Sequence, residues 1–266
     1  MLLTTLPYLG FIPAPNKPYA APVPAPIALP NAHAHNDYQH EHPLADALAK
    51  GFTSVEADVH LVDGELYLGH WFPQVSSQRT LRALYLNPLG ELMTRQGGKV
   101  YPSFEGVFYL MIDVKTNALE TYLALRRLLL EFPVFQNNLH FKVFISGNRA
   151  IAQIVADSAR VAGLDGRLAD LHRPTDSKVM PVVSDNFRKF FEWRGEGAMP
   201  AQEQQLLRLM ANATHRQGQK LRFWAVPDLA AAWEVLLDAG VDLISTDRLQ
   251  DLEQFLLKRD GRTAPR

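Results

Sequence analysis

From Leu29 to Thr246 the chain repeats one pattern: a short apolar run, then a stretch with helical spacing of its apolar residues. Parallel strands joined by crossover helices read this way, because each strand is hidden on both faces and each helix on one. The predicted strands are Leu29 to His35, Phe52 to His60, Phe108 to Lys115, His140 to Ser146, Arg167 to Leu171, Val179 to Ser184, Leu221 to Val226 and Val241 to Thr246. Between them lie helical stretches such as Pro43 to Lys50, with Leu44, Ala47 and Leu48 on one face, and the leucine-dense Ala118 to Glu131. An open doubly wound sheet shows a similar alternation. Eight units without an internal sequence repeat favour the closed α/β solution, a (β/α)8 TIM barrel spanning residues 29–260 as one domain.

Two departures from the repeat are informative. Asp63-Gly64 is a favoured tight-turn pair, so Leu66 to Gly69 should return as a hairpin beside the second strand. The long connection from Trp71 to Val107 should hold a helix over Leu81 to Leu92, broken at Asn87-Pro88 where a second short helix could start. Before the barrel, residues 1–28 form a proline-rich segment expected to be extended; residues 261–266 read as a tail. Met1 to Ile12 is apolar but lacks a preceding basic residue, which makes it a poor secretory signal.

Composition narrows the chemistry. There is no cysteine among the 266 residues, which removes thiolate metal sites and a thiol nucleophile. A formal net charge of -1 supplies no global field toward nucleic acid, so a nucleic-acid partner is not expected. No apolar run is long enough for a transmembrane span.

In a parallel barrel, catalytic groups sit at the C-terminal ends of the strands. Strand one ends in His33-Ala34-His35-Asn36-Asp37, strand two carries Glu56-Ala57-Asp58, the hairpin ends in His70, and strand three ends in Asp113-Val114-Lys115. Glu56 and Asp58 are two apart and share a face, while Val55, Ala57 and Val59 point to the helix layer. With Asp113 they make an all-oxygen set suited to one divalent cation, Mg2+ or Ca2+, rather than zinc. The alternative is that these acids pair with barrel arginines or lysines. Lys115 would lie beside the cation as a fixed charge for a phosphate oxygen. His35 and His70 flank the acidic strand, and phosphodiester cleavage needs one group to take a proton and one to give it. His33 and His60 point inward but suit a hydrogen-bonded layer equally well. Trp224 faces either the barrel mouth or the helix layer, core packing being the commoner fate of such an aromatic. Asp247 reads first as a cap for a helix over Leu249 to Leu257. Ser146, Asn148, Asp185 and Asn186 follow apolar runs and are candidates to line the mouth; His40, His42, His140, His172 and His215 read as structural or exposed.

His35-Asn36, Glu56-Ala57-Asp58, Asp63-Gly64, Gly69-His70, Asp113-Val114-Lys115, Trp224 and the closing Ser245-Thr246-Asp247 resemble the pattern of the glycerophosphodiester phosphodiesterase superfamily, which shares the phosphatidylinositol-specific phospholipase C-like fold. His35-Asn36-Asp37-Tyr38 is similar to the hallmark of the branch related to the altered-inheritance-of-mitochondria protein. The resemblance implies a metal on Glu56, Asp58 and Asp113 and an acid-base pair in His35 and His70; with them Lys115 is expected to aid catalysis, and Asn36, Lys115 and Trp224 are the expected substrate contacts. It implies a small-molecule or lipid phosphodiester as substrate, and hydrolysis or cyclisation as the reaction. Asn36 stands where the main phosphodiesterases carry a phosphate-binding arginine, and Asp113 where they usually carry glutamate, so glycerophosphodiesters are not implied as strongly as phosphodiester chemistry itself. Asp113-x-Lys115 looks more like the venom phospholipase D group. Related bacterial proteins are often exported, so an extracytoplasmic (secreted or periplasmic) location is expected before a cytoplasmic one. Two rival readings are a metal-dependent amidohydrolase, on His33-x-His35 and Asp247, and a non-catalytic barrel that binds phosphorylated ligands. The first lacks the histidines it needs on strands five and six.

Overall fold

The computed structural model describes residues 26–73 and 75–263. Its elements in chain order are β1 (Leu29–Ala34), α1 (Ala45–Ala49), β2 (Phe52–Val62), β3 (Glu65–Leu68), α2 (Asn87–Arg95), β4 (Phe108–Val114), α3 (Ala118–Leu130), β5 (Phe141–Gly147), α4 (Ile151–Ala156), β6 (Gly163–Gly166), β7 (Val182–Asn186), α5 (Ala201–His215), β8 (Lys220–Trp224), α6 (Ala230–Asp238), β9 (Leu243–Thr246) and α7 (Leu249–Arg259). The sheet runs β1-β9-β8-β7-β6-β5-β4-β2-β3, and β1 also pairs with β2. That last pairing closes eight parallel strands into a barrel, with β3 attached outside the ring as an antiparallel return on β2. The expected (β/α)8 barrel is therefore present. Residues 1–25, which hold most of the proline-rich segment, and 264–266 lie outside the described residues.

The hairpin forms as the Asp-Gly pair predicts: Asp63 and Gly64 take φ of 50° and 85°, the paired positive values of the tight turn whose twist matches its flanking strands. Two expectations need correction. Strand five is not Arg167 to Leu171 but Gly163–Gly166; Leu168–His172 is a short 3-10 helix. Two glycines in four residues give that strand little β-propensity, and it is held by its pairings with Phe144, Ile145, Val182 and Val183. The helix over the long connection does not break at Pro88. Arg82–Leu86 forms a π-helical segment that runs directly into α2, and Asn87 makes no side-chain cap. Pro88 falls in the first turn of α2, directly after the π-helical segment.

Strand parity sorts the barrel into an outer and an inner set. Val55, Ala57 and Val59 on β2, and Leu110 and Ile112 on β4, are fully buried against the helices. Each of the valine, leucine and isoleucine side chains among them stabilises by about 1.5–3 kcal/mol on burial. Inside the ring, Tyr109, Met111, Phe144, Val182 and Leu243 form a separate apolar cluster. The next inward residues toward the C-terminal ends are polar: Glu56 and Asp58, Asp113, Ser146, Ser184, Arg222 and Ser245. The interior thus grades from apolar to charged along the barrel axis, and the charged end is where chemistry can be placed.

Candidate active site

One cavity of about 440 Å³ opens at the C-terminal ends of the strands, and His35, Asn36, Glu56, His70, Asp113, Lys115 and Trp224 all line it. Asp58 is fully buried and is not itself part of the lining, but it pairs with two residues that are, Lys115 and His70. Every residue singled out in the sequence for chemistry or substrate contact thus converges on one place.

Glu56 is held by an ion pair across the barrel. Its Oε2 accepts from Arg222 Nη2 at 3.0 Å and from His33 Nε2 at 3.3 Å. Burial alone would push this carboxyl up, but the guanidinium and the His33 hydrogen bond hold it well below the ordinary range. Burial, then Arg222, lower His33 to about 3, so its ring is neutral: Nε2–H donates to Glu56 and Nδ1 accepts from Ser54 Oγ at 2.7 Å. With both ring nitrogens engaged, His33 belongs to the interior layer and has no nitrogen free to ligate, which removes half of the amidohydrolase pattern. His60 is likewise tied to the carbonyl of Gly69 at 3.0 Å.

Asp58 Oδ2 gathers three donors: the Tyr38 hydroxyl at 2.8 Å, His70 Nδ1 at 2.9 Å and Lys115 Nζ at 2.9 Å. Lys115 also reaches Asp113 Oδ2 at 3.1 Å. Burial opposes the Lys115 charge, but the two carboxylates outweigh it and raise its pKa. Asp113 is pushed up to about 6 by burial and by its proximity to Glu56.

Both readings of the acidic cluster are therefore partly realised, since each acid has a cationic neighbour. The decisive atoms are the ones left over. Asp58 Oδ1 and Asp113 Oδ1 are buried and have no hydrogen-bond partner among the described residues. Glu56, Asp58 and Asp113 each offer an oxygen within 4.8 Å of the others. Bare buried carboxylate oxygens are costly, and an all-oxygen set of this size fits a hard divalent cation. Gly147, at φ 65°, ends β5 against this cluster; a Cβ there would lie 2.0 Å from Asp113 Oδ1.

Each mouth histidine is oriented by a carboxylate. His70 Nδ1 faces Asp58, and His35 Nδ1 donates to Asp247 Oδ1 at 2.8 Å. Burial works against a charged His35, but the Asp247 hydrogen bond and nearby Glu56 prevail and raise its pKa. Asp247 is thus a partner of His35 rather than the expected helix cap; α7 begins at Leu249, and Arg248 before it makes no side-chain cap. Asn36 makes the turn after β1 in the left-handed region, φ 51°, which asparagine tolerates, and it brings Tyr38 back under His70. Trp224 lines the cavity instead of packing in the core, with the Arg167 guanidinium 5.1 Å over its ring.

Sequence reasoning missed Arg222, Arg167 and Tyr38 as site residues. Arg222 had a readable signal: it lies between Leu221 and Phe223, both buried outward, so its charge must point into the barrel. Ser146 and Asn148 line the mouth as expected, whereas Asp185 is turned aside to Lys189 at 3.1 Å. His40, His42, His140, His172 and His215 do not line the cavity.

With this geometry in view, comparisons with known proteins agree. Solved glycerophosphodiester phosphodiesterases from Parabacteroides distasonis and Agrobacterium tumefaciens superpose with TM-scores of 0.53 and 0.52. They cover 86% and 88% of this chain and 98% and 100% of their own, at 14% and 16% identity. The chain has the fold of the glycerophosphodiester phosphodiesterase-like superfamily. Within it, residues 24–133 match the AIM6-like phosphodiesterase domain. Altered inheritance of mitochondria protein 6 homolog of Arthroderma benhamiae is 28% identical over 85% of this chain and 82% of its own. The protein of that name from Eremothecium gossypii is 27% identical over 85% and 69%, and that of Saccharomyces cerevisiae 26% over 82% and 68%. The chain is thus similar in sequence to that branch, the match to the domain lying in its first half, and similar in fold to the glycerophosphodiester phosphodiesterases.

Proposed function

We propose that this chain is a metal-dependent phosphoric diester hydrolase, acting on a small-molecule or lipid phosphodiester, with His35 and His70 as its acid-base pair. The observation that carries the reading is the convergence, in one cavity, of two carboxylate-oriented histidines on a three-carboxylate cluster with two bare buried oxygens.

In this reading Glu56, Asp58 and Asp113 hold one Mg2+ or Ca2+. What such a cation contributes when bound is neutralisation of negative charge on a phosphate oxygen. Lys115 Nζ, already at the carboxylates, supplies a second fixed positive charge for the phosphate. One histidine accepts the proton of the attacking hydroxyl, from water or from the substrate, and the other donates a proton to the leaving oxygen. Asp247 holds His35, and Asp58 with the Tyr38 hydroxyl holds His70, so neither ring needs to reorient during the reaction. Asn36 and Trp224 border the space left for the ester arms.

The test is turnover of bis(p-nitrophenyl) phosphate, beside a panel of glycerophosphodiesters and lysophospholipids, with Mg2+, Ca2+, Mn2+ or chelator. Wild type should turn over at least one of these substrates with added metal and lose it with chelator. His35→Ala should reduce the rate by about 10²–10⁴-fold, the usual contribution of a general acid or base, and Glu56→Ala should abolish metal-dependent turnover. Activity indifferent to Glu56 would refute the proposed site.

A further inference from the structure

Across the mouth from the acidic cluster, the cavity wall is built by Arg167, which follows β6, and Trp224, at the end of β8. Arg167 is held rigidly. Its Nη1 donates to Asp165 Oδ2 and to Gly166 O, both at 2.9 Å, and its Nη2 lies 3.4 Å from Ser146 Oγ. Asp165, fully buried, is in turn fixed by the hydroxyls of Ser146 at 2.7 Å and Ser184 at 2.6 Å. The guanidinium then lies over the Trp224 ring at 5.1 Å. Its side chain is 23% exposed, and among the described residues its Nε makes no hydrogen bond.

A guanidinium fixed in this way has two consequences for a ligand. It occupies one face of the indole, so a trimethylammonium group drawn to that ring would be brought up against a like charge. It also keeps an Nε–H without a partner among the described residues, next to an Nη2 whose contact with Ser146 is at 3.4 Å, on the planar group whose geometry suits a carboxylate or a phosphate. The acids around it do not cancel this at the cavity surface. Asp165 is engaged behind the wall, Asp170 accepts from the Arg167 backbone N–H at 2.8 Å, and Asp185 takes Lys189. Arg149, bonded to the Asp165 carbonyl oxygen, adds a second guanidinium behind the first.

We propose that Arg167 and Trp224 form a subsite for the non-scissile arm of the phosphodiester, one that selects an arm ending in an anionic group and disfavours a quaternary ammonium. This rests on the phosphodiester reading of the same cavity and names its substrate class.

The experiment compares three p-nitrophenyl phosphodiesters whose second arm ends in a carboxylate, a hydroxyl or a trimethylammonium, with saturating Mg2+ or Ca2+. Turnover is measured with the wild type, and binding by calorimetry in a His70→Ala background. The carboxylate arm should exceed the trimethylammonium arm by about tenfold in kcat/KM and in affinity, the effect of one charge-assisted hydrogen bond. Arg167→Gln should remove that ratio, chiefly through KM, and Arg167→Lys should keep its sign. Equal arms, a preference for trimethylammonium, a ratio unchanged by Arg167→Gln, or no binding of any arm would each overturn the subsite. The wild-type ratio decides the matter even if Arg167→Gln does not fold. Binding with the expected preference but no turnover of any arm would keep the subsite and discard the hydrolase reading.

Discussion

Arg222 and Glu56 are both almost fully buried, and each makes the other tolerable in the barrel interior. Replacing Arg222 with leucine leaves an uncompensated carboxylate and should cost about 3–5 kcal/mol, read from urea denaturation at neutral pH. A change at Asp247 should act on chemistry rather than on stability. Asp247→Asn withdraws the charge that raises the His35 pKa, so the limb of the pH–rate profile that belongs to His35 should move to lower pH. A third residue tests linkage away from the acidic cluster. Asp37 is fully buried, accepts from Tyr85 Oη at 2.7 Å and from the Leu44 N–H at 2.6 Å, and is pushed up to about 6 by burial. Its folded pKa lies above the unfolded value, so the folded state binds this proton more tightly. Stability from this group is present at low pH and falls as pH rises from about 4 to about 6, by up to roughly 3 kcal/mol. Asp37→Asn should lack that decline, which thermal unfolding across the window would reveal. At this scale the sequence was most legible where a residue type has few reasons to be where it is. Two acids on one strand face and two strand-end histidines could be read, whereas Asp247 had a commoner use as a cap and its partner across 212 positions was not visible.

Among the elements, β5 shows how a backbone feature sets the chemistry beside it. The close approach of Gly147 to Asp113 Oδ1 and to the carbonyl of Val114 leaves no room for a side chain, and its positive φ would strain one in any case. Gly147→Ala should therefore destabilise the fold by about 1–3 kcal/mol, as a strained left-handed residue does, and displace Asp113. Calorimetry with Mg2+ or Ca2+ should show weakened binding even though no ligand residue has changed. The elements that could be read from the sequence are those whose side chains carry the period: β2 and β4 in their apolar alternation, α3 in its leucines. Strand β6 could not be read, because Gly163-Leu164-Asp165-Gly166 has no such pattern and is specified by its neighbours. The turn at Asn87-Pro88 was misread for a related reason. Local preference marks a break there, and the packing of Tyr85, Leu86, Leu89 and Met93, all fully buried, keeps the helix continuous.

For the whole molecule, a cation bound as proposed at the bare oxygens of Asp58 and Asp113 would also act as a structural ligand of the barrel mouth. At a hundredfold excess over Kd, Mg2+ or Ca2+ should stabilise the fold by about 2.7 kcal/mol, roughly 5–10 °C in Tm for a chain of this size. Asp58→Asn with Asp113→Asn should abolish the shift, which differential scanning calorimetry would show. The closed ring itself was legible from the count of units, since a barrel needs eight and tolerates great variety in each. The hairpin stands outside that ring. His70 follows β3, a strand that pairs with β2 but is no part of the closed circuit, and it reaches Asp58 from beyond the barrel wall. His70 is thereby carried on an appendage, while the carboxylates and His35 are built into the staves. A change in the residues that follow β3 can therefore move His70 relative to the carboxylates while the pairing of the eight ring strands stays as it is, and the buried Leu66 and Leu68 keep the base of that appendage anchored in the core.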